Sequence, residues 1–328
     1  MAAFILPLQL RRRFGIRVLE WLGSPQSTYG HGLFAHAFLP HARDWLAENW
    51  RWIVTLAGPC DAVVLTDMPD AVDGIPHPFK ALFNISAANR SYRMKLTADF
   101  SQLLSGKRSR ESRRQDRRKL EALAAVGEVT FGLPDGLTQA QATLAVMFEQ
   151  QERRLAEHGI RGVFGADERR FVQRMAELQD EQRPVLLAYT LRCGGDILAV
   201  MLGARHGATF YGLISSMTDS GLRQYSPGDL ALRRTIESAC QAGFAQLDFA
   251  TGDSCYKLSW ADEVIQLRAL FGARNLRGLA LVMALLGVTG IKRTIKRSAA
   301  SRRLFAALRR AVLGRPTTGA IRRLPSSG

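Results

Sequence analysis

Apolar residues change their spacing along the chain, and the changes mark out elements. Three apolar runs, Val185 to Leu191, Ile197 to Gly203 and Thr209 to Ser215, are separated by Gly194-Gly195-Asp196 and by His206-Gly207. Runs of this length around tight-turn residues predict an antiparallel meander. Next, Tyr225-Ser226-Pro227-Gly228 opens a helix with Ala231, Leu232, Thr235, Ile236, Ala239 and Cys240 on one face at helical spacing, stopping at Gly243. A strand is predicted at Gln246 to Ala250, then a polar loop from Thr251 to Lys257 that ends at Trp260, then a strand at Val264 to Phe271.

Upstream, the pattern predicts a strand at Ser91 to Leu96 and a helix from Asp99 that continues through Lys107 to Lys119. A strand at Glu128 to Phe131 follows, then a long amphipathic helix from Leu137 to His158 with Leu144, Met147, Phe148 and Leu155 inward, and a helix at Phe171 to Leu178. Residues 1–84 are less regular. They suggest short strands at Ile53 to Leu56 and Ala62 to Leu65, and a helix at His41 to Trp52 that partly buries Trp45, Trp50 and Trp52. At the other end, Leu276 to Ile291 is apolar. Thereafter Lys292, Arg293, Lys296, Arg297, Arg302, Arg303, Arg309 and Arg310 alternate with Leu304, Phe305, Leu308 and Leu313. This is a basic amphipathic tail, suited to an anionic membrane surface or to packing on the domain with its cations in water. From Arg315, Pro, Gly and Ser predict disorder. Strands and helices mixed in this order place the chain in the α+β class.

Composition adds one unusual fact. An apolar share of 47% and a charged share of 23% are ordinary for a folded chain, whereas the net charge of +16 points to an anionic partner: nucleic acid, membrane, or a phosphate-bearing ligand. Cys60, Cys193, Cys240 and Cys255 have no metal-ligand spacing and read as reduced thiols of a cytoplasmic protein. Arg11-Arg12-Arg13 follows the first apolar stretch rather than preceding it, so no secretory signal is expected. The apolar run from Gly278 to Ile291 falls short of the ~20 residues that span a bilayer. His31, His36 and His41 recur at a spacing that keeps no helical face together, and no metal site is expected.

The turn at residues 225–228 has chemistry of its own. The first amides of a helix lack partners within it, and the helix dipole favours an anion there. Ser226 is the expected N-cap, Pro227 takes the first helical position, and Gly228 admits a ligand close to the backbone. An ordinary capped helix has the same signature.

Tyr225-Ser226-Pro227-Gly228 with its helix, Leu247-Asp248-Phe249, Gly252-Asp253 and Tyr256-Lys257 together resemble the C-terminal half of GNAT-fold acyltransferases. The resembling group is associated with cellulose and exopolysaccharide biosynthesis and is similar to the FemAB transferases; its members also tend to carry a basic run like Lys107 to Lys119. The resemblance covers about residues 85–272. It implies a mixed, mostly antiparallel GNAT-like sheet flanked by helices, in two GNAT-like lobes: a degenerate lobe over 1–100, an acyltransferase domain over 101–272, and a helical tail over 273–328. In such folds the fourth and fifth strands splay to receive the pantetheine arm of coenzyme A. Acetyl-CoA or another acyl-CoA is the implied co-substrate, without a metal, and Ser215, Tyr225, Ser226, Pro227, Gly228 and Asp229 are its expected contacts.

Acyl transfer from a thioester needs an unprotonated nucleophile, donors near the carbonyl oxygen and a proton for the thiolate. Asp253 or Asp248 is the expected base or acceptor-orienting group, Tyr256 the proton donor, and Lys257 the electrostatic partner of phosphate or oxyanion. Asp248 bonding a turn and Lys257 pairing with Asp253 are the structural alternatives. Cys255 has no histidine close in sequence to activate it. The run Lys107 to Lys119 holds eight Lys or Arg against Glu111 and Asp116, without aromatics for base stacking. It reads either as a solvated helix or as a border of the acceptor or cofactor channel, where Arg110, Arg113 and Arg117 would attract phosphate.

The functional expectation is a cytoplasmic acyltransferase that uses no metal, acting on a hydroxyl or amine of a polysaccharide, its precursor or another envelope component, peripheral to the membrane or to a polysaccharide synthase. The alternatives are a FemAB-like transferase using aminoacyl-tRNA and a non-catalytic, membrane-docked accessory protein of a synthase. Other nucleic-acid binding is disfavoured by the lack of zinc spacing or a helix-turn-helix signature.

Overall fold

A computed structural model describes residues 2–24, 27–72, 74–157, 165–180, 183–252 and 254–297, with backbone only for 255 and 294–297. The strands are β1 (Phe4–Ile5), β2 (Leu8–Arg13), β3 (Ile16–Trp21), β4 (Leu33–Phe34), β5 (Ala62–Pro69), β6 (Ala71–Val72), β7 (Ile75–Pro76), β8 (Ile85–Lys95), β9 (Val129–Gly132), β10 (Leu186–Cys193), β11 (Asp196–His206), β12 (Thr209–Met217), β13 (Gln246–Thr251) and β14 (Glu263–Ala273). The helices are α1 (Leu39–Leu56), α2 (Phe100–Lys107), α3 (Arg110–Ala124), α4 (Gly136–Glu157), α5 (Ala166–Leu178), α6 (Pro227–Gln241), α7 (Cys255–Trp260) and α8 (Leu276–Arg297).

Ten strands form one sheet in the order β2-β3-β5-β14-β8-β13-β12-β11-β10-β9. Its ladders are antiparallel except at β3/β5 and β12/β13. Each parallel pair is joined by a crossover that contains a helix, α1 in the first case and α6 in the second, as parallel neighbours require. The fold is therefore a mixed, mainly antiparallel sheet flanked by helices, with the same device used once toward each end.

The core follows these two units. Around the second, Met94, Leu191, Met201, Phe210, Leu247 and Phe249 of the sheet meet Leu230, Ile236 and Ala239 of α6. On the opposite face of β10 and β11, Ala188, Val200 and Leu202 meet Leu144, Met147 and Phe148 of α4. Around the first unit, Leu19, Trp21, Val63 and Leu65 meet Leu46, Trp50, Ile53 and Val54 of α1.

Several local expectations need correction. Ile53 to Leu56 is the last turn of α1, because Leu46, Trp50, Ile53 and Val54 keep the helical period and are all buried. The hairpin β2/β3 occupies a stretch not expected to pair; Phe14 and Gly15 turn it with positive φ of 51° and 78°. The basic segment is two helices, not one: Asp99 caps α2 by accepting from the Gln102 amide, and Ser109 caps α3 by accepting from the Ser112 amide. The loop expected to reach Trp260 contains α7. His158, Asp253 and the tail beyond Arg297 lie outside the described residues.

His77 fastens the first unit to the strands' crossing loop. It is fully buried, its Nδ1 accepts from the Phe79 amide at 3.1 Å, and its Nε2 faces the Gly30 carbonyl at 3.2 Å. Burial first, and then nearby His31, push its pKa down to about 3. A neutral histidine in the fold that becomes charged on unfolding stabilises fully above the unfolded value of about 6.5, and that stability drains away as pH falls toward 3. Thermal unfolding followed between about pH 6.5 and 5.5, above most carboxylate titrations, should show Tm falling in the native chain and a flatter curve in His77→Gln.

Candidate active site

The sheet opens at the parallel pair β12/β13. Its register holds only at Thr209↔Gln246, Phe210↔Leu247 and Tyr211↔Asp248, although β12 runs on to Met217 and β13 to Thr251. Two local features drive the strands apart. β12 is irregular opposite Leu202 and Gly203, and β13 leaves its ladder with β8 between Asp248 and Thr251, where Ala250 adopts a left-handed φ of 59°. Asp248 builds that kink with its own side chain, since Oδ1 accepts from the Ala250 amide at 2.8 Å.

The fork is a crevice rather than a filled seam. Gly212 to Ser215, Leu232, Thr235, Leu247, Phe249, Tyr256 and Lys257 line its inner end. Toward the start of α6 it widens to a cavity of ≈ 310 Å³ between Ser215, Met217, Arg154, Arg223, Ser226, Gly228 and Asp229. Asp229 and Tyr256 also border a second cavity of ≈ 290 Å³, walled by Arg108, Asp116, Arg233 and Trp260. Tyr256 thus stands where the three spaces meet. Its hydroxyl hydrogen-bonds the Ser215 side chain, and burial raises its pKa, with Asp229 adding to the rise and Ser215 and Arg154 opposing it. The phenol therefore keeps its proton at neutral pH.

The start of α6 differs from a side-chain-capped helix. Ser226 is left-handed, with φ and ψ both 54°, and its side chain caps no amide. Its hydroxyl accepts instead from Lys119 Nζ at 2.8 Å. The Asp229 and Leu230 amides both turn back to the Ser226 carbonyl, and Pro227 has no N–H to give. That leaves the Gly228 N–H as the donor of the first turn without a partner among the described residues. A β-carbon on Gly228 would sit 3.2 Å from Met217 Sδ, so the glycine also lets the helix start close on β12. Anion binding here would rest on this amide together with the Arg154 and Arg223 side chains, more than on a row of amides. Pro227 is buried and Tyr225 packs against the core; neither lines the cavities.

The remaining sequence candidates separate. Lys257 is buried at the inner end of the fork and donates from Nζ to the Thr251 carbonyl at 2.8 Å. Asp248 lies on the opposite face of β13 from Leu247 and Phe249, fully buried, and accepts from Tyr29 Oη at 2.9 and 2.8 Å and from Ser91 Oγ at 3.2 Å, with Arg93 Nε 3.6 Å away. On α3, Asp116 and Leu123 are buried and Lys119 is half-buried, whereas Arg110 and Arg117 are exposed and Arg113 is half-buried. Of this basic segment, Arg108, ahead of the helix, lines the second cavity, and Lys119 reaches Ser226 at the wall of the first. Arg108 stacks on Trp260 at 5.5 Å, and its Nε is buried without a hydrogen-bond partner among the described residues, a donor that a bound anion would satisfy.

Arg154, Arg223 and Lys119 were not singled out from the sequence. One signal was available: Gln150, Gln151 and Arg154 put a polar patch on an otherwise apolar side of α4. Gln150 bonds the Ile197 carbonyl at 2.9 Å and Ser216 Oγ at 2.8 Å, and Gln151 Nε2 donates to the Ser215 carbonyl at the fork.

Comparison with known proteins bears on this geometry. Residues 110–258 match the family model described as acetyltransferase (GNAT) domain, a span that contains the fork, α6 and Tyr256. FemX is similar in structure, with a TM-score of 0.53 and 12% identity, over 83% of this chain and 90% of that one. So are L-PGS from Bacillus licheniformis, with a TM-score of 0.50 and 11% identity over 90% and 89% of the two chains, and a C-terminal domain (DUF2156) assigned to a lysylphosphatidylglycerol synthetase of Agrobacterium fabrum. For that domain the TM-score is 0.50 and the identity 13%, over 86% and 88%. At such identities the likeness is one of fold, and the fold is GNAT-like. No curated protein matches the chain.

Proposed function

We propose that this chain is an acyl-CoA-dependent acyltransferase that acylates a hydroxyl or amine of a polysaccharide, its precursor or another envelope component. The observation that carries the reading is the β12/β13 fork with a protonated Tyr256 at its mouth and a cationic end at Gly228, Arg154 and Arg223. An extended pantetheine arm would lie along the unpaired edge of β12, its diphosphate toward the Gly228 amide and the two arginines. The nucleophile attacks the thioester carbon, the C–S bond breaks, and Tyr256 passes its proton to the departing thiolate. The acceptor's proton goes to a carboxylate, for which Asp253 is the proposed base, and Lys257 stabilises the charge that develops nearby. The saccharide acceptor is supported by the family resemblance of the sequence alone.

A second reading has an observation in its favour. Arg108, Lys119, Arg154 and Arg223 crowd around the cavities, and the terminal phosphates of an aminoacyl-tRNA would find the same partners. Calorimetric titration with acetyl-CoA and with charged tRNA separates the two. Saturable binding of acetyl-CoA, weakened by salt and lowered about tenfold or more in Arg154→Ala/Arg223→Ala, is the expected result. Binding of charged tRNA with none of any acyl-CoA would replace the first reading by the second, and binding of neither would leave a non-catalytic accessory protein.

A further inference from the structure

The surplus charge of the chain is concentrated in one stretch. Residues 264–328 contain fourteen Lys or Arg and no Asp or Glu, against a net charge of +16 for the whole. Within that stretch β14 and α8 are described, and the middle of α8 is apolar on every side: residues 278–291 contain no charged side chain.

One side of α8 is accounted for. Asn275 holds its start to the sheet, donating to Asp61 Oδ1 at 2.6 Å while its own Oδ1 accepts the Gly278 amide at 2.9 Å. Gly278 lies so close to β5 that a β-carbon would fall 1.7 Å from the Asp61 carbonyl oxygen, and Val282 one turn on is buried. The other side has no cover among the described residues. Leu276 is 83% exposed, Leu279 47%, Met283 60% and Ile291 60%. At 100° per residue these four fall on one stripe opposite Gly278 and Val282, with Ala280 and Gly287 between them. A helix apolar all round is ordinarily buried all round, and an uninterrupted exposed apolar stripe of roughly 20 Å marks a docking surface.

Charge selects the occupant. Across a symmetric contact with a second copy, this stretch would face its own cations, and the tail beyond Arg297 carries the same sign; both are disfavoured by repulsion. An anionic bilayer supplies apolar depth and opposite charge together. We propose that the outward stripe of α8 docks on an anionic lipid surface, lying in its plane with Leu276, Leu279, Met283 and Ile291 among the acyl chains and Arg277, Lys292 and Arg293 at the headgroups. The helix lies on the membrane rather than through it, since no helix among the described residues is long and apolar enough to cross. This docking is independent of the transfer reaction.

Co-sedimentation of the full chain with vesicles tests it, using phosphatidylglycerol mixed with phosphatidylcholine against phosphatidylcholine alone. The chain should partition onto the anionic vesicles and not the neutral ones, and about 1 M salt should release part of it. Leu279→Glu/Met283→Glu should weaken the partition by roughly tenfold or more with Tm unchanged, because both side chains already face water. Absence of binding to anionic vesicles overturns the proposal, as does equal binding to neutral ones. Undiminished binding of a folded Leu279→Glu/Met283→Glu chain overturns it as well, because the cations beyond α8 would then hold the lipid alone. Self-association measured by light scattering, lost in the same variant without any vesicle binding, would assign the stripe to a second copy.

Discussion

Tyr256→Phe is expected to lower kcat by roughly 10²-fold or more, with KM for the acyl donor little changed. The phenol is half-buried at the junction of the fork and the two cavities, bonds Ser215, and has its pKa raised by burial and by Asp229. A raised pKa keeps the proton in place across neutral pH, which a donor to a thiolate requires. It also shifts any alkaline loss of activity from this group above the ordinary tyrosine range near 10. Phenylalanine preserves the ring that packs edge-on against Phe249 at 6.3 Å, so the cost to stability should be about 1 kcal/mol, mainly from the Ser215 hydroxyl left without its partner. Steady-state kinetics and a melting curve on the same preparation check both halves. Activity within threefold of the native chain would show that the thiolate leaves without help from Tyr256.

The elements around this residue were legible in the sequence because each has a clean local cause. The meander β10 to β12 is set by Gly194-Gly195 and Gly207, all with positive φ, and α6 by an apolar face whose every member is buried. The fork was expected from family resemblance, not from periodicity, and on the β13 side it is built by one side chain, Asp248, whose Oδ1 takes the Ala250 amide where β13 leaves its ladder with β8. Non-local contacts were beyond reach. Tyr29 meets Asp248 across 219 positions, and nothing in the sequence near Ser226 announces that its hydroxyl will accept from Lys119 rather than from a helix amide. The hairpin β2/β3 was hidden for a different reason. Arg11, Arg12 and Arg13 mask the alternation of β2, which tolerates them because it lies at the edge of the sheet, with Arg13 paired to buried Glu20 at 2.5 Å.

Asp248→Ala is expected to be the most destabilising single change near the site, on the order of 3–5 kcal/mol. The carboxylate is fully buried, and Tyr29, Ser91 and the Ala250 amide all depend on it, with Arg93 close by. Removing it strands buried donors and frees the kink that opens β13 from β12. Tyr29→Phe deletes one donor and leaves the others in place, so its cost should be nearer 1 kcal/mol. Burial and the Asp248 charge raise the Tyr29 pKa. The phenol thus stays a donor to the carboxylate in the fold, a stabilisation complete below the ordinary tyrosine value and lost progressively as pH climbs from there through the raised one. Because Asp248 faces away from Tyr256 across the strand, the two substitutions should also differ in kind. Tyr256→Phe should leave Tm nearly fixed while kcat falls, whereas Asp248→Ala should lower Tm by about 10 °C and loosen acyl-CoA binding as the fork relaxes. An Asp248→Ala protein that melts like the native chain yet transfers no acyl group would make Asp248 the base, and would mean that the fork holds its shape without it.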